Sequence, residues 1–563
     1  MSRTTISERG EVRRPEGGDE TGTAYGGRLP RVLRGVALVV AVCAGALLSV
    51  GAFLGLYVRP TSDDWCALWK ARDMGVLGIT ADFYLTQNGR VTNAFLTGLL
   101  YSDDMRGPKL LPAFLVVVLG AGLFLLAGAA LRALRPVTRA GEEPVVPLVA
   151  AAALLSALLF FAGTRSYQVL LWAPATISHT LPSVIGLWAV LGCVRAARCG
   201  VRWAKTAAVT SALLVGAAIG MLSEPFTLVA GLFAVTVGVV CLPRFGWARD
   251  RYVSTWCAAA CLGLLCGLAL LSTSPGARWR RAQRPQEPLS AERIGETFHD
   301  WWRLWQTIGG QWAYLGAVAV GALLGLALAA AGPRQDGGGA GRDMSPGGDR
   351  GTSPPAGRDT SPPAGHDLTP LVDRDIHRSD TRDARRSARG LPPRALFRVV
   401  VLLPLPLIAL ASLAVVFGLR SGYGVVGWTY GRTWTSFLLP LLLVLCAYGA
   451  WGGHLVGRRL LVPWRPAARA AALVGIGAVA LGSAVALVQP VYELSTSTVV
   501  RAVAWDRQTA RIRDEAAAGA REVTYRPLLI GGLSEPLFAS TYQRDWAAQC
   551  AARYYRVDRI HRP

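Results

Sequence analysis

Two adjacent carboxylates, Asp63 and Asp64, stand in the stretch RPTSDDWCALW, directly after an apolar run long enough to cross a membrane. An acid at the end of such a run is costly unless it is solvated, paired or functional. Further polar residues that hydrophobicity does not explain follow along the chain. They are Asn88 and Arg90 in FYLTQNGRVTNAF, Tyr167 and His179 in TRSYQVLLWAPATISHTLP, and Glu224 in MLSEP. Arg280 and Arg281 in STSPGARWRRAQR, and Tyr430 and Arg432 in RSGYGVVGWTYGRTW, complete the set. Arginine offers a planar fork that matches phosphate oxygens. A carboxylate near that phosphate could take a proton from an incoming hydroxyl. Asp63 and Asp64 could instead hold a divalent cation, Mg2+ or Mn2+, against leaving-group charge. Together these residues point to the handling of a phosphate-bearing lipid.

Each residue also has a plainer reading. Carboxylates in loops are ordinarily solvated, and Asp103 and Asp104 are read that way. Asp63 and Asp64 differ because they abut a span and lead into a Trp-bearing, helix-like segment. Glu224 sits in a connection too short to be a free loop, so pairing with an arginine is as good a reading as a functional role. The arginines after SPG would suit lipid headgroups equally. WWRLWQ, from Trp301 to Gln306, reads as an aromatic belt or a helix lying on the membrane.

The elements that must position these residues are membrane spans. Of 563 residues, 52% are hydrophobic and 17% charged, against about 25% charged in a typical soluble protein. Mean hydropathy is +0.35. Apolar runs near the ~20-residue length of a transmembrane helix recur throughout, giving an all-α polytopic membrane protein. The net charge of +23 fits basic cytoplasmic loops and is not read as a nucleic-acid footprint. No CxxC pair or GxxxxGK[ST] loop is present, which argues against structural zinc and nucleotide binding.

About eleven spans are expected, near 35–57, 110–134, 145–163, 180–196, 205–222, 226–242, 252–272, 311–331, 397–418, 435–452 and 467–489. Basic connections such as RAARCGVRWAK, PRFGWARDR and HLVGRRLLVPWRPAAR fall on one side, and SEP, without a basic residue, on the other. The Arg-rich stretch from Ser274 to Gln306 runs against this pattern. The domains then read as a disordered cytoplasmic N-terminus, 1–34, and a membrane region, 35–331, of about eight spans with a large first outer loop, 58–109. A disordered cytoplasmic linker, 332–396, precedes a three-span region, 397–489. An extracytoplasmic tail, 490–563, forms a small mixed α/β appendage. This topology puts every candidate residue on the same, outer side.

SDDW after the first span, then QNGR, a Glu-Pro after the fifth span, SPG followed by arginines, and a late Tyr/Arg loop resemble an uncharacterised family of bacterial polytopic membrane proteins. That family is similar in layout to the GT-C glycosyltransferases, which use polyprenyl-phosphate-linked sugar donors and carry an acid in the first outer loop. The resemblance implies a plasma-membrane glycosyltransferase moving a sugar from a lipid-linked donor to a cell-envelope acceptor with inversion. It implies membrane lipids as surroundings and no nucleic-acid partner. Asp64 or Asp63 would be the base or metal ligand, with Asp64 favoured. Arg280, Arg281 and Arg432 would meet the donor phosphate. Asn88, Arg90, Tyr167 and Glu224 would shape the sugar or acceptor site, and His179 is a further binding candidate. Cys66 and Cys550 would both lie outside, where a disulfide persists and would pin the tail over the site. The competing readings are a transporter or flippase of a charged lipid or solute, and a non-catalytic scaffold.

Overall fold

Apolar length alone accounts for most of the architecture. The computed structural model describes residues 28–134, 144–243, 248–283, 290–330, 402–460, 466–531, 533–538 and 540–563. Among these, nine helices are long and apolar enough to cross a membrane. The expected linker, 332–396, lies outside the described residues, as does the N-terminal segment up to residue 27; residues 28–34, expected as disordered, are helical. The first helices are α1 (Arg28–Leu54), α2 (Asp63–Asp82), α3 (Val91–Tyr101), α4 (Arg106–Leu134) and α5 (Val145–Phe161). They are followed by α6 (Leu181–Cys199), α7 (Arg202–Gly220), α8 (Glu224–Val240), α9 (Arg251–Thr273), α10 (Pro275–Ala282) and α11 (Ala291–Gly310). The last are α12 (Leu315–Ala330), α13 (Pro404–Tyr423), α14 (Thr435–Leu455), α15 (Pro466–Ala486), α16 (Val488–Ala517) and α17 (Trp546–Tyr555).

Two of the expected spans, α5 and α8, are apolar helices of 17 residues, about 26 Å long at 1.5 Å per residue. They fall short of the nine in length. α5 is buried on all sides, from Leu148 through Phe161 almost without a break, as expected of a helix that is apolar all round. It forms the centre of the bundle.

Apolar side chains gain little by leaving lipid for one another, so close packing between spans rests on small residues. Two helix crossings here are made by facing pairs of GxxxG. Gly321 and Gly325 of α12 lie against the backbone of α14 at Cys446 and Ala450, and Gly449 and Gly453 of α14 lie against α12 at Val318 and Ala322. Gly216 and Gly220 of α7 meet Gly263 and Gly267 of α9 in the same way. A methyl group at any of these positions would fall within 3 Å of the opposing backbone.

The segment 58–109, expected as the first outer loop, is more ordered than its polar composition suggests. It folds into the α2–α3 hairpin, with α2 broken at Gly75, whose φ of 69° suits glycine. The Arg-rich stretch 274–306 forms α10 and the greater part of α11. The indoles of Trp301 and Trp305 on α11 both donate to the Ser412 hydroxyl on α13, so one side of WWRLWQ packs inward while Trp302 stays exposed.

The tail does not start afresh after the last span. α16 follows α15 across Leu487, so that a helical segment whose first part is apolar runs from Ala471 to Ala517. Beyond it, β1 (Glu522–Thr524) pairs in parallel with β4 (Arg559–His561), and β2 (Leu529–Ile530) with β3 (Leu533–Ser534) in antiparallel. These strands, α17 and the end of α16 enclose a separate aromatic core. Its centre is Trp65 of the SDDW stretch, fully buried, with its ring 5.3–6.1 Å from those of Trp505, Tyr525, Tyr554 and Tyr555. Cys66, the next residue, is disulfide-bonded to Cys550 on α17. The tail is thereby built onto the first turn of α2.

Candidate functional site

The acid pair is set by the turn that precedes it. Ser62 takes φ 48° and ψ −118°, a conformation disfavoured for an L-residue and one that recurs at functional sites. Successive helical residues point about 100° apart, so Asp63 and Asp64 cannot share surroundings. Asp64 is 1% exposed. Its Oδ2 accepts the Thr61 backbone N–H at 2.9 Å and its Oδ1 accepts the Tyr101 hydroxyl. Burial pushes its pKa up to about 7, against the lowering effect of those two hydrogen bonds. Asp64 is therefore a buried acid committed to Thr61 and Tyr101.

Asp63 has the opposite surroundings. Its side chain is exposed yet set among protein atoms. The resulting loss of hydration raises its pKa, while Arg432, Arg280 and Arg90, in that order, pull it back down. The preference for Asp64 drawn from the sequence is thus reversed on geometry: Asp63 is the acid open to a ligand.

Two of these arginines are held by an interlock between motifs far apart in sequence. After α2 a π-helical turn, Phe83–Gln87, leads into Asn88, whose Oδ1 accepts the Arg90 N–H at 3.0 Å and so closes the turn. Gly89 has φ 73°, and a Cβ there would lie 2.1 Å from Ser274 Oγ. Gly276, in the SPG that opens α10, would carry a Cβ 2.6 Å from the Gln87 nitrogen. QNGR and SPG therefore fit backbone against backbone, which sets Arg90 and Arg280 beside each other's loops. Arg90 is ion-paired with Glu224 at the start of α8, and the charge of Arg280 also reaches Glu224. Arg281 points elsewhere, its Nη2 donating to the Ser272 carbonyl at 2.5 Å.

The late loop supplies the third arginine. Arg432 lies over the rings of Trp172 and Tyr430, at 5.2 and 5.0 Å, and donates to Gln168 Oε1 at 3.4 Å. Tyr430 is also covered by Arg165 and packs on Tyr423. Such cation–ring contacts hold a guanidinium in place while leaving its N–H edges free for a ligand. His179 is buried in the field of Arg432 and Arg90, and its carbonyl accepts the Thr435 hydroxyl at 3.0 Å. The Tyr167 hydroxyl, Trp172 Nε1 and Arg90 Nε are buried without a hydrogen-bond partner among the described residues. Orphaned polar atoms of this kind call for a ligand or water to complete them.

Of the residues singled out in the sequence, Asp63, Asp64, Asn88, Arg90, Tyr167, His179, Glu224, Arg280, Tyr430 and Arg432 therefore gather at one end of the bundle. Arg281 stands apart. Two residues the sequence reading passed over also belong here. Arg501 of α16 donates to the carbonyls of Arg59 and Pro60, at 3.0 and 2.6 Å, and pairs with Glu535 at 3.3 Å. A signal for Glu535 was present, since the LSEP around Glu224 recurs at 533–536. A cavity of about 610 Å³ borders Glu535 on the tail side, rimmed by Arg526 and Arg562. It lies apart from the Asp63 cluster.

The residues do not fit a protein-held divalent cation. Both oxygens of Asp64 are already engaged, Asp63 lies in the positive field of three arginines, and no group of three or more His, Cys, Asp or Glu that could hold a metal occurs among the described residues. The positive field instead suits an anion. No protein-family model, curated protein or solved structure matches the chain, so the likeness to GT-C enzymes rests on the order of its short motifs.

Proposed function

We propose that this protein is a plasma-membrane glycosyltransferase that moves a sugar from a polyprenyl-phosphate-linked donor to an extracytoplasmic cell-envelope acceptor. The observation that carries the reading is the position of Asp63, an accessible acid within electrostatic reach of Arg432, Arg280 and Arg90. In this mechanism Asp63 takes the proton from an acceptor hydroxyl as its oxygen attacks the anomeric carbon. The bond from that carbon to the phosphate oxygen breaks with inversion, and the electron pair leaves with the phosphate. Arg432 and Arg280 meet the charge that develops there, an interaction stronger in the transition state than in the ground state. The raised pKa of Asp63 suits a base, because basicity grows with pKa as long as the group stays ionised at the working pH.

The test is transfer of envelope glycan in cells carrying Asp63→Asn or Asp64→Asn at equal membrane levels. Asp63→Asn is expected to lower transfer by about 100- to 10,000-fold, the usual contribution of a general base. Asp64→Asn should retain most of it, since Asn can accept from Thr61 and donate to Tyr101. Full transfer by Asp63→Asn would sink the reading. Loss of a transported lipid with unchanged transfer chemistry would favour the flippase instead.

A further inference from the structure

The tail reaches the acid turn through buried polar groups, and those groups are aimed at backbone that the tail does not own. Arg501 is 5% exposed and Glu535 4%. Glu535 is fixed by the Tyr525 hydroxyl at 3.1 Å and the Leu528 N–H at 2.9 Å. It neutralises Arg501, whose fork is then directed at the carbonyls of Arg59 and Pro60. Five residues further along α16, Asp506 takes the Arg59 side chain in a bidentate pair at 2.6 and 2.8 Å. Thus α16 grips the turn by main chain and by side chain. The grip ends at Pro60, two residues before the disfavoured conformation at Ser62 and three before Asp63. Such a conformation persists only where its surroundings over-determine it. If Arg501 served only to hold the tail, acceptors within the tail would suffice. The aromatic core around Trp65 and the Cys66–Cys550 bridge already fasten it.

We infer that Arg501 and Glu535 are positioning residues that fix the Arg59–Ser62 turn and so aim Asp63 into the arginine cluster. The inference rests on the reading of Asp63 as the reacting acid, but its test does not need turnover. The full-length protein, as wild type and as Arg501→Lys, is labelled with a carbodiimide and glycine ethyl ester across a pH series. Modification of Asp63 is followed by peptide mass spectrometry, with exposed Asp73 as internal reference and the Cys66–Cys550 bridge as the check on tail docking. Lysine keeps the charge but loses the fork that spans two carbonyls. The Asp63 profile is expected to move by about half a pKa unit or more, roughly threefold in labelling at fixed pH, with Asp73 and the bridge unchanged.

An unchanged Asp63 profile in Arg501→Lys with the bridge intact overturns the inference and leaves these residues as mere fasteners. Should that variant fail to insert, Asp506→Asn, at an exposed partner of Arg59, gives the second reading. A smaller shift in the same direction supports the inference, and none refutes it. The two claims separate cleanly. If Asp63→Asn keeps full transfer while Arg501→Lys still moves the Asp63 profile, the proposed reaction falls and the clamp stands. If Asp63→Asn abolishes transfer while Arg501→Lys alters neither profile nor transfer, the clamp falls and the reaction stands.

Discussion

Two glutamates in this chain occupy the same four-residue context, LSEP, and each pairs with an arginine from a distant segment: Glu224 with Arg90, Glu535 with Arg501. Their surroundings differ in the way that separates a site from a support. The Arg501–Glu535 pair is almost sealed, with side chains 4% and 0% exposed, and its oxygens are shared with Tyr525 and Leu528. The Arg90–Glu224 pair is open, at 20% and 40%, and faces Asp63 and Arg280. A sealed pair fixes geometry because neither member can be solvated alone. An open pair can exchange its partner for a ligand. The same chemistry therefore serves as a clamp in one place and as part of a binding surface in the other.

The largest expected effect tests the sealed side. Glu535→Leu leaves Arg501 buried with an uncompensated charge and should cost about 3–5 kcal/mol, read as thermal unfolding in detergent. A loss below about 1 kcal/mol would mean the pair is solvated and the contrast with Glu224 is false. Asp64 belongs to the same sealed region and gives a pH signature. Its folded-state pKa near 7 stands above the ordinary 3.8, so between those values the native protein holds a proton that the unfolded chain has released. The stabilisation is full below the lower value and is lost as pH rises through 7, by at most about 4 kcal/mol. Asp64→Asn should flatten that slope; an unaltered slope would place its origin elsewhere.

Smaller effects are expected where backbone meets backbone. Gly276→Ala would push a methyl against the Gln87 nitrogen and should cost about 1–3 kcal/mol, as overpacking does. It should also weaken transfer by displacing Arg280 relative to Arg90. Unfolding and transfer assays on the same preparation would show whether the two losses travel together. Unchanged transfer would mean that the QNGR–SPG interlock does not set the site.

Much of the bundle was legible because hydropathy is a local sum: a span announces itself within about 20 residues. The gathering of motifs was legible in part, since basic loops assigned them to one side before any contact was known. Finer choices turned on helix phase. Asp63 and Asp64 are adjacent on one helix, as are Arg280 and Arg281, and nothing in either pair's neighbours says which member faces inward. The clamp was hidden by distance. Arg501 meets Pro60 across 441 residues, and its place inside the apolar run VVRAVAW was the one local sign that it must be satisfied by something buried. The continuation of the last span into α16 was missed for a related reason. Its polar residues mark where the lipid-facing composition ends, and the helix does not stop there.

The smallest stability effect is expected on the open side, and it is the sharper half of the comparison. Glu224→Gln keeps the shape and one acceptor for Arg90 while removing the charge. Because the carboxylate is 40% exposed, the change should alter stability by only about 0–1 kcal/mol, and by less at high salt. Transfer should respond differently. With Glu224 neutral, Arg90 presents an uncompensated positive charge beside Asp63, which should lower the Asp63 pKa and shift the acid limb of the pH–activity profile downward. A variant that unfolds readily yet leaves that limb in place would assign Glu224 to the fabric of the protein and erase the distinction between the two LSEP glutamates.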